Sequence, residues 1–321
     1  MNTFKDWTAG FRMDCRQVLV TGATGQLGRE LIPRLRARGD SPVLLVRDPK
    51  KSLQMFPDCP YIVGDVTEPF QPLSVDAVYH LAADINLGRR HEERTWTTNY
   101  TGTQNVLEFC ALNGVKHLFY VSTAYTAGGR NPYEQSKAAA EEMVRKSSLS
   151  FRTTIFKPGI IMPCLDDVIK PATGAVYQFA RGICTVHRRA EIVRRAIEGT
   201  LRLPVIEPKF RLWGNDDGRL NLIPVDVVAD FIAATEEEGT FWLTHPDPPT
   251  VGQVARWIGN AMYVDVSVEP EFQMSAVEKV FHRLAAPFMP YLEGDSFHSD
   301  IRSCPAITAD FIRESVRHSL L

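Results

Sequence analysis

The sequence predicts a doubly wound parallel α/β sheet with a smaller lobe interleaved toward its carboxyl end, and three observations carry that prediction. Short apolar runs alternate with helical stretches through the first half of the 321 residues. The runs are nearly continuous in β-branched and aromatic residues, as strands are when helices cover both faces of a sheet. A glycine-rich turn follows the first run and opens the first helix.

In chain order, Gln17–Thr21, Pro42–Val46, Tyr61–Val63, Ala77–Leu81, Leu118–Ser122 and Thr153–Phe156 read as strands. Gln26–Arg38, Thr95–Asn113 and Tyr133–Lys146 read as helices, with Leu27, Leu31, Leu35 and Val106, Phe109, Cys110 at helical spacing. This alternation implies right-handed crossovers. Past Pro158 the pattern breaks into a stretch rich in proline and arginine. Val225–Ala234 then reads as a helix and Thr240–Thr244 as a strand returning to the sheet. The remainder, 251–321, reads as helical with proline interruptions. The expected organisation is a tail at 1–15, a Rossmann-type dinucleotide domain at 16–161 completed by about 221–245, and a substrate lobe from 162–220 and 246–321.

Composition excludes several classes. With 44% hydrophobic and 23% charged residues the chain is an ordinary globular protein. A formal net charge of -2 gives no field for nucleic acid. No apolar run is long enough to span a membrane, and the first 15 residues lack the apolar stretch of a signal peptide. The six cysteines, Cys15, Cys59, Cys110, Cys164, Cys184 and Cys304, are scattered without metal-ligand spacing. They read as reduced thiols of a cytoplasmic protein, with no metal site.

Thr21-Gly22-Ala23-Thr24-Gly25-Gln26-Leu27-Gly28 has the strand before it and the helix after it that a phosphate-binding turn needs. Its glycines let backbone amides approach a pyrophosphate, and the helix start favours negative charge. Arg47 ends the second strand, where an arginine accepts a 2′-phosphate and a carboxylate would select NAD. Arg47 therefore points to NADP(H), with Lys50 and Lys51 adding field, while Asp48 could instead serve NAD. Asp65, with Val66 after it, can accept from an adenine amino group, and Leu81-Ala82-Ala83 lets the backbone run close to a cofactor. His80 reads as a packed strand-end histidine.

Tyr133 and Lys137 stand four apart, on one face of a helix. A phenol near pKa ~10 is a poor acid–base group at neutral pH. A neighbouring ammonium and a positive nicotinamide should lower that value, so that Tyr133 exchanges a proton with a substrate oxygen as hydride moves. Ser122 and Thr123 end the preceding strand, where a hydroxyl can orient a carbonyl, and Tyr125 lies close enough to touch substrate.

Together these motifs resemble the extended short-chain dehydrogenase/reductases over roughly residues 17–245. Asn99-Tyr100-Thr101-Gly102-Thr103, Lys157-Pro158-Gly159 and Ile223-Pro224-Val225-Asp226 extend the match. The resemblance implies a Thr123–Tyr133–Lys137 triad, Asn99 supporting a proton relay, Lys137 also holding the nicotinamide ribose, and Pro158, Gly159 and Ile160 beside the carboxamide. Tyr120-Val121-Ser122-Thr123-Ala124-Tyr125 and Asn131-Pro132-Tyr133-Glu134-Gln135-Ser136-Lys137, with Glu141 beyond, look most like the thioester reductase and fatty acyl-CoA reductase branch. That branch implies reduction of a carbonyl or acyl-thioester substrate on CoA or a carrier protein, and a homodimer is compatible with it. Two departures stand out. Only nine residues separate Thr123 from Tyr133, with Gly128-Gly129 where substrate-facing residues usually stand, and Lys157 replaces an arginine. Two rival readings stay open: a sugar-nucleotide epimerase or dehydratase with bound NAD, and a non-catalytic NADP-binding sensor. The basic stretch Arg181, His187, Arg188, Arg189, Arg194, Arg195 could dock an acidic carrier, or be a solvated face. Phe281, Leu284, Ala285, Pro287, Phe288, Met289 and Tyr291 could wall an acyl pocket or pack a core, and Asp166-Asp167 reads as a solvated loop.

Overall fold

The structure, a computed structural model, describes residues 15–147, 151–164, 180 and 209–320. Its strands are β1 (Gln17–Thr21), β2 (Ser41–Val46), β3 (Tyr61–Val63), β4 (Ala77–His80), β5 (His117–Val121), β6 (Arg152–Pro158), β7 (Ile160–Met162), β8 (Lys209–Trp213), β9 (Leu222–Pro224), β10 (Gly239–Leu243) and β11 (Asp265–Glu269). Its α-helices are α1 (Gln26–Ala37), α2 (Pro49–Met55), α3 (Glu92–Trp96), α4 (Gly102–Leu112), α5 (Pro132–Ser147), α6 (Val225–Ala234), α7 (Val251–Met262), α8 (Ala276–Ala285) and α9 (Ala309–Leu320). The chain divides into two compact units. One is residues 1–158 with 225–243, and the other is 159–224 with 244–321.

The first unit holds a seven-stranded sheet in the order β10-β6-β5-β4-β1-β2-β3, parallel throughout. From β1 the chain winds outward one way through β2 and β3, then returns to β4 and winds the other way. The reversal falls between β1 and β4, the switch point at whose carboxyl edge open α/β sheets bind ligands. Val18, Leu19 and Val20 are buried, which accounts for the unbroken apolar runs. α1 turns Leu27, Leu31, Ile32 and Leu35 inward and packs beside α6.

The stretch read as one helix over Thr95–Asn113 is broken. α3 and α4 are separated by a π-helical turn at Thr97–Thr101. Threonine hydroxyls explain the interruption. Thr95 donates to His91 O, Thr97 to Glu93 O and Thr103 to Asn99 O, at 3.0, 2.8 and 2.6 Å. Such bonds compete with the helical ladder and loosen it. The consequence is local: Asn99 is carried to the inside, fully buried.

The second unit differs from the helical expectation for 251–321. β11 pairs in parallel with β8, and β7 with β9. Val266 and Val268 face inward while Asp265, Ser267 and Glu269 are less buried, a period-two pattern obscured by its short span. Phe281, Ala285, Phe288 and Tyr291 are buried, and Phe281 meets Phe210 edge-on at 5.3 Å, so the described part of that aromatic cluster packs a core. The basic stretch 181–195, Asp166, Asp167 and Cys184 lie outside the described residues. Among the described residues no helix is long and apolar enough to cross a membrane, no group of side chains could hold a metal ion, and Cys15, Cys59 and Cys110 are free thiols.

Gly28 shows how little space the first crossover leaves. A Cβ there would meet the carbonyl oxygens of Ala23 and Gly22. Gly28→Ala should therefore cost about 1–3 kcal/mol through overpacking. The check is a urea midpoint that falls at unchanged slope.

Candidate active site

The glycine turn sits at the carboxyl end of β1, beside the end of β4. Gly22 has φ +72°, open to glycine and costly for other residues. A Cβ on it would lie 2.7 Å from Ala82 N and 2.8 Å from the Leu81 carbonyl carbon. The turn closes through Gly25 N–H to Gly22 O at 3.0 Å, and Gly25 begins α1 with no side-chain cap. Thr21, Ala23, Thr24, Gln26 and Leu27 complete a stretch whose amides lie at a helix start, the geometry that receives phosphate. This is a cradle that added side-chain atoms would fill, and it fits a dinucleotide pyrophosphate.

At the end of β2 the two candidate side chains differ in their engagement. Asp48 caps α2, accepting from Lys50 and Lys51 amides at 3.0 and 3.3 Å. Arg47 is 72% exposed, with Asp65 3.7 Å away. Asp65 spends one oxygen on Thr67 N–H at 3.1 Å, and Val66 packs under Gly102.

α5 begins where it does for local reasons. Asn131 Oδ1 accepts Glu134 N–H at 3.0 Å while the Glu134 carboxylate accepts Arg130 N–H at 2.8 Å. Pro132 takes the first helical position, which requires no amide hydrogen. Buried Glu134 is paired with Arg130 at 3.0 Å, and the Arg130 guanidinium lies over the Tyr125 ring at 5.3 Å. The shortened loop is a 3-10 turn at Ala124–Ala127 closed by Gly128 and by Gly129 at φ +58°.

Thr123, Tyr133 and Lys137 converge at the end of β5. Thr123 lies beside the Tyr133 phenol, and its hydroxyl accepts Tyr125 N–H at 3.4 Å. Lys137 Nζ donates to Val121 O at 2.7 Å and lies 4.2 Å from the Tyr120 ring centroid. The electrostatics differ from the expectation. Desolvation pushes Tyr133 up to about 12, opposed by the nearby Thr123 hydroxyl and aided by the Glu134 charge. Desolvation also pulls Lys137 down to about 7, with Glu141 opposing. Lys137 is turned to a carbonyl and a ring, and desolvation above all keeps Tyr133 protonated.

Other expected residues are placed as follows. Asn99 Nδ2 donates to Asp84 O and Ser136 Oγ, both at 3.0 Å, and its Oδ1 accepts Asp84 N–H at 2.8 Å. Ser122 is turned from any substrate role, because its hydroxyl donates to Glu141 at 2.6 Å. Tyr125 is buried under Arg130 rather than presented to solvent. Pro158 closes β6. Gly159 and Ile160 belong to the second unit, where Ile160 N–H donates to Asn221 O at 2.8 Å and Gly159 packs against Asn221. A cavity of about 510 Å³ lined by Arg16, Asp76, Lys116, His117, Arg152 and Glu236 opens at the opposite, amino-terminal ends of the strands, away from this chemistry.

One feature escaped sequence reasoning. Lys157, on β6, donates to both Glu141 oxygens at 2.9 and 3.0 Å and to Thr126 at 2.5 Å, with its charge 4.8 Å from the Trp242 ring. Arg145 adds a bond to Glu141 at 2.7 Å. These cations and the Ser122 hydroxyl hold Glu141 below the usual carboxylate range, although its burial works the other way. The signal was the pairing of a buried strand lysine with Glu141, four residues beyond Lys137. Nothing in the linear sequence says that β6 lies under α5.

The profile of the NAD dependent epimerase/dehydratase family matches residues 18–161, and that described as male sterility protein matches 126–232. The chain is 26% identical over 242 residues to hybrid PKS-NRPS synthetase pvhA of Talaromyces variabilis, covering 67% of this chain and 5% of that protein. It is 28% identical over 179 residues to 2-alkyl-3-oxoalkanoate reductase of Stenotrophomonas maltophilia, covering 48% of this chain and 54% of that one. The chain thus spans little more than half of these relatives' own length at most. Among solved structures it is similar to the UDP-Glc/GlcNAc 4-epimerase of Campylobacter jejuni, with TM-score 0.66 at 18% identity over 95% of this chain and 99% of that one. At that identity the likeness is one of fold.

The buried Lys157–Glu141 pair gives a stability test. Glu141→Leu alone strands a buried cation and should cost about 3–5 kcal/mol, whereas Glu141→Leu with Lys157→Met should recover most of that loss. Urea titration of the three proteins compares them.

Proposed function

We propose that this chain, which belongs to the extended short-chain dehydrogenase/reductase family and is an NAD(P)-dependent enzyme of oxidoreductase type, reduces a carbonyl or acyl-thioester substrate with NADPH. The observation that carries the reading is the anchoring of Lys137 to Val121 O at the end of β5, one helical turn from Tyr133 and beside Thr123. A phenol at about 12 is a proton donor, which suits reduction.

The glycine turn would hold the pyrophosphate and Arg47 the 2′-phosphate, with Asp65 toward the adenine. Leu81, Ala82 and Ala83 would border the cofactor along β4, and Pro158, Gly159 and Ile160 are assigned to the carboxamide. When bound, the nicotinamide supplies the hydride. Thr123 orients the substrate oxygen and supports the phenolate with its hydroxyl. Tyr133 gives that oxygen a proton. Lys137, when charged, stabilises the phenolate left behind. Asn99 holds the turn of α5 from beneath.

Two observations favour NADPH over NAD. Asp48 is occupied as a helix cap, and Arg47 stands exposed just past the end of β2. The thioester branch is supported by the strings around Thr123 and Tyr133 and by the male sterility match over residues 126–232. Delivery on CoA or a carrier protein belongs to the same reading. The epimerase/dehydratase match over residues 18–161 falls on the cofactor half that both readings share, and the likeness to the solved epimerase is one of fold.

NADPH consumption with a panel of acyl thioesters, aldehydes and ketones tests the function. Tyr133→Phe should abolish turnover while NADPH still binds; turnover retained in that variant overturns the assignment. Arg47→Ala should lower the preference for NADPH over NADH by about tenfold, the low end for a charged hydrogen bond because the site is exposed. The pH dependence follows from Lys137. Burial has lowered its pKa to about 7, so the cation is present below that pH and lost as pH rises through it. The kcat/KM for reduction, which reports groups of the free enzyme, should therefore fall on the alkaline side. In Lys137→Met the rate should be low and that limb absent.

A further inference from the structure

His80 is buried at the end of β4, takes no part in the reaction above, and has both ring nitrogens engaged. The direction of each bond around it can be worked out. Thr103 donates its hydroxyl proton to Asn99 O at 2.6 Å. Its oxygen must then accept from His80, so Nε2 carries the hydrogen, at 3.2 Å. Burial holds His80 neutral, near 3, which leaves Nδ1 a bare acceptor. Nδ1 accepts the Thr21 hydroxyl at 2.7 Å, and Thr21 accepts Ala82 N–H at 3.2 Å. On the other side, Asn99 Oδ1 faces Asp84 N–H at 2.8 Å, which sets its amide so that Nδ2 donates to Ser136 Oγ at 3.0 Å. Ser136 donates in turn to Tyr133 O at 2.9 Å. Each of the three hydroxyls in the series makes one donation and one acceptance. The bonds run without a break from the end of β1 and the backbone after β4 to the first turn of α5. Such connected buried networks hold one arrangement, because leaving any member unpaired is costly.

We propose that His80 is a positioning residue: through Thr21 on one side and Thr103, Asn99 and Ser136 on the other, it joins the backbone of the glycine turn to the helical turn that carries Tyr133. A cofactor seated on the glycine turn thereby steadies Tyr133, the coupling acting through hydrogen bonds that enter Asn99 at its carbonyl and leave from its side-chain amide. This rests on the reading of Tyr133 as the proton donor and of the glycine turn as the cofactor cradle.

Two measurements test it on the full chain. In hydrogen exchange, NADP+ should slow the amides of residues 134–137 in the wild type. In His80→Gln, which keeps a donor for Thr103 but removes the acceptor for Thr21, saturating NADP+ should leave those amides unchanged while still protecting the amides of residues 22–27. Equal slowing in both proteins overturns the coupling. Failure of NADP+ to bind the wild type would instead overturn the proposed function, so the two failures are distinct. The second measurement is a double-mutant cycle on kcat at saturating NADPH. His80→Gln and Ser136→Ala should each lower kcat about tenfold, and the pair should lose no more than about twofold beyond the worse single variant, as residues acting as one unit do. Multiplicative losses, near 100-fold, would mean two separate structural roles and sink the proposal. Should His80→Gln fail to fold, Thr103→Val replaces it in both measurements with the same expected outcomes, because it severs the chain one bond later.

Discussion

The close approach of two backbones at the switch point governs the first unit. Gly22, at positive φ, passes so near Leu81 and Ala82 that no side chain fits between. That contact brings the ends of β1 and β4 together and lets Thr21 reach both Ala82 N–H and His80. It also leaves the first amides of α1 at the carboxyl edge of the sheet, where a helix start attracts phosphate. The glycine turn proposed to hold the cofactor and the polar connection to α5 both begin at this point.

Beneath α5 a second constraint operates. Lys137, Glu141 and Lys157 are all buried, and low dielectric makes each charge expensive alone. They are arranged so that Glu141 lies one turn from Lys137 and directly on Lys157, with Ser122, Thr126 and Arg145 taking the remaining bonds. The helix is thereby pinned to β5 and β6 by charged groups, a directional attachment that apolar packing would not give. Lys137 sits at the edge of this group. Its lowered pKa reflects burial that Glu141 only partly offsets.

The elements of the parallel sheet were legible because each depends on its own residues. Apolar runs bounded by turns give β1 to β6, and the spacing of Leu27, Leu31 and Leu35 gives α1. The glycine turn and the Tyr133–Lys137 spacing were visible for the same reason, since backbone conformation and helical pitch are local properties. Legibility failed where a choice depended on competing bonds or distant partners. Nothing in Thr95–Asn113 announces that three threonines will turn their hydroxyls onto the ladder and open a π turn. β8 and β11 are short, and each is stabilised by the other across more than fifty residues of chain.

Hence the sequence by itself determined the winding of the sheet, the place of the phosphate turn and the helical face shared by Tyr133 and Lys137. Tertiary structure alone decided that Asp48 caps a helix, that Ser122 turns to Glu141 and that Lys157 lies against Glu141. It also decided the direction of the Tyr133 pKa. A phenol beside a lysine in sequence reads as activated, yet burial raises its pKa while the lysine donates to Val121 O. Propensity and spacing act along the chain, whereas desolvation and hydrogen-bond partnership depend on what the fold brings near.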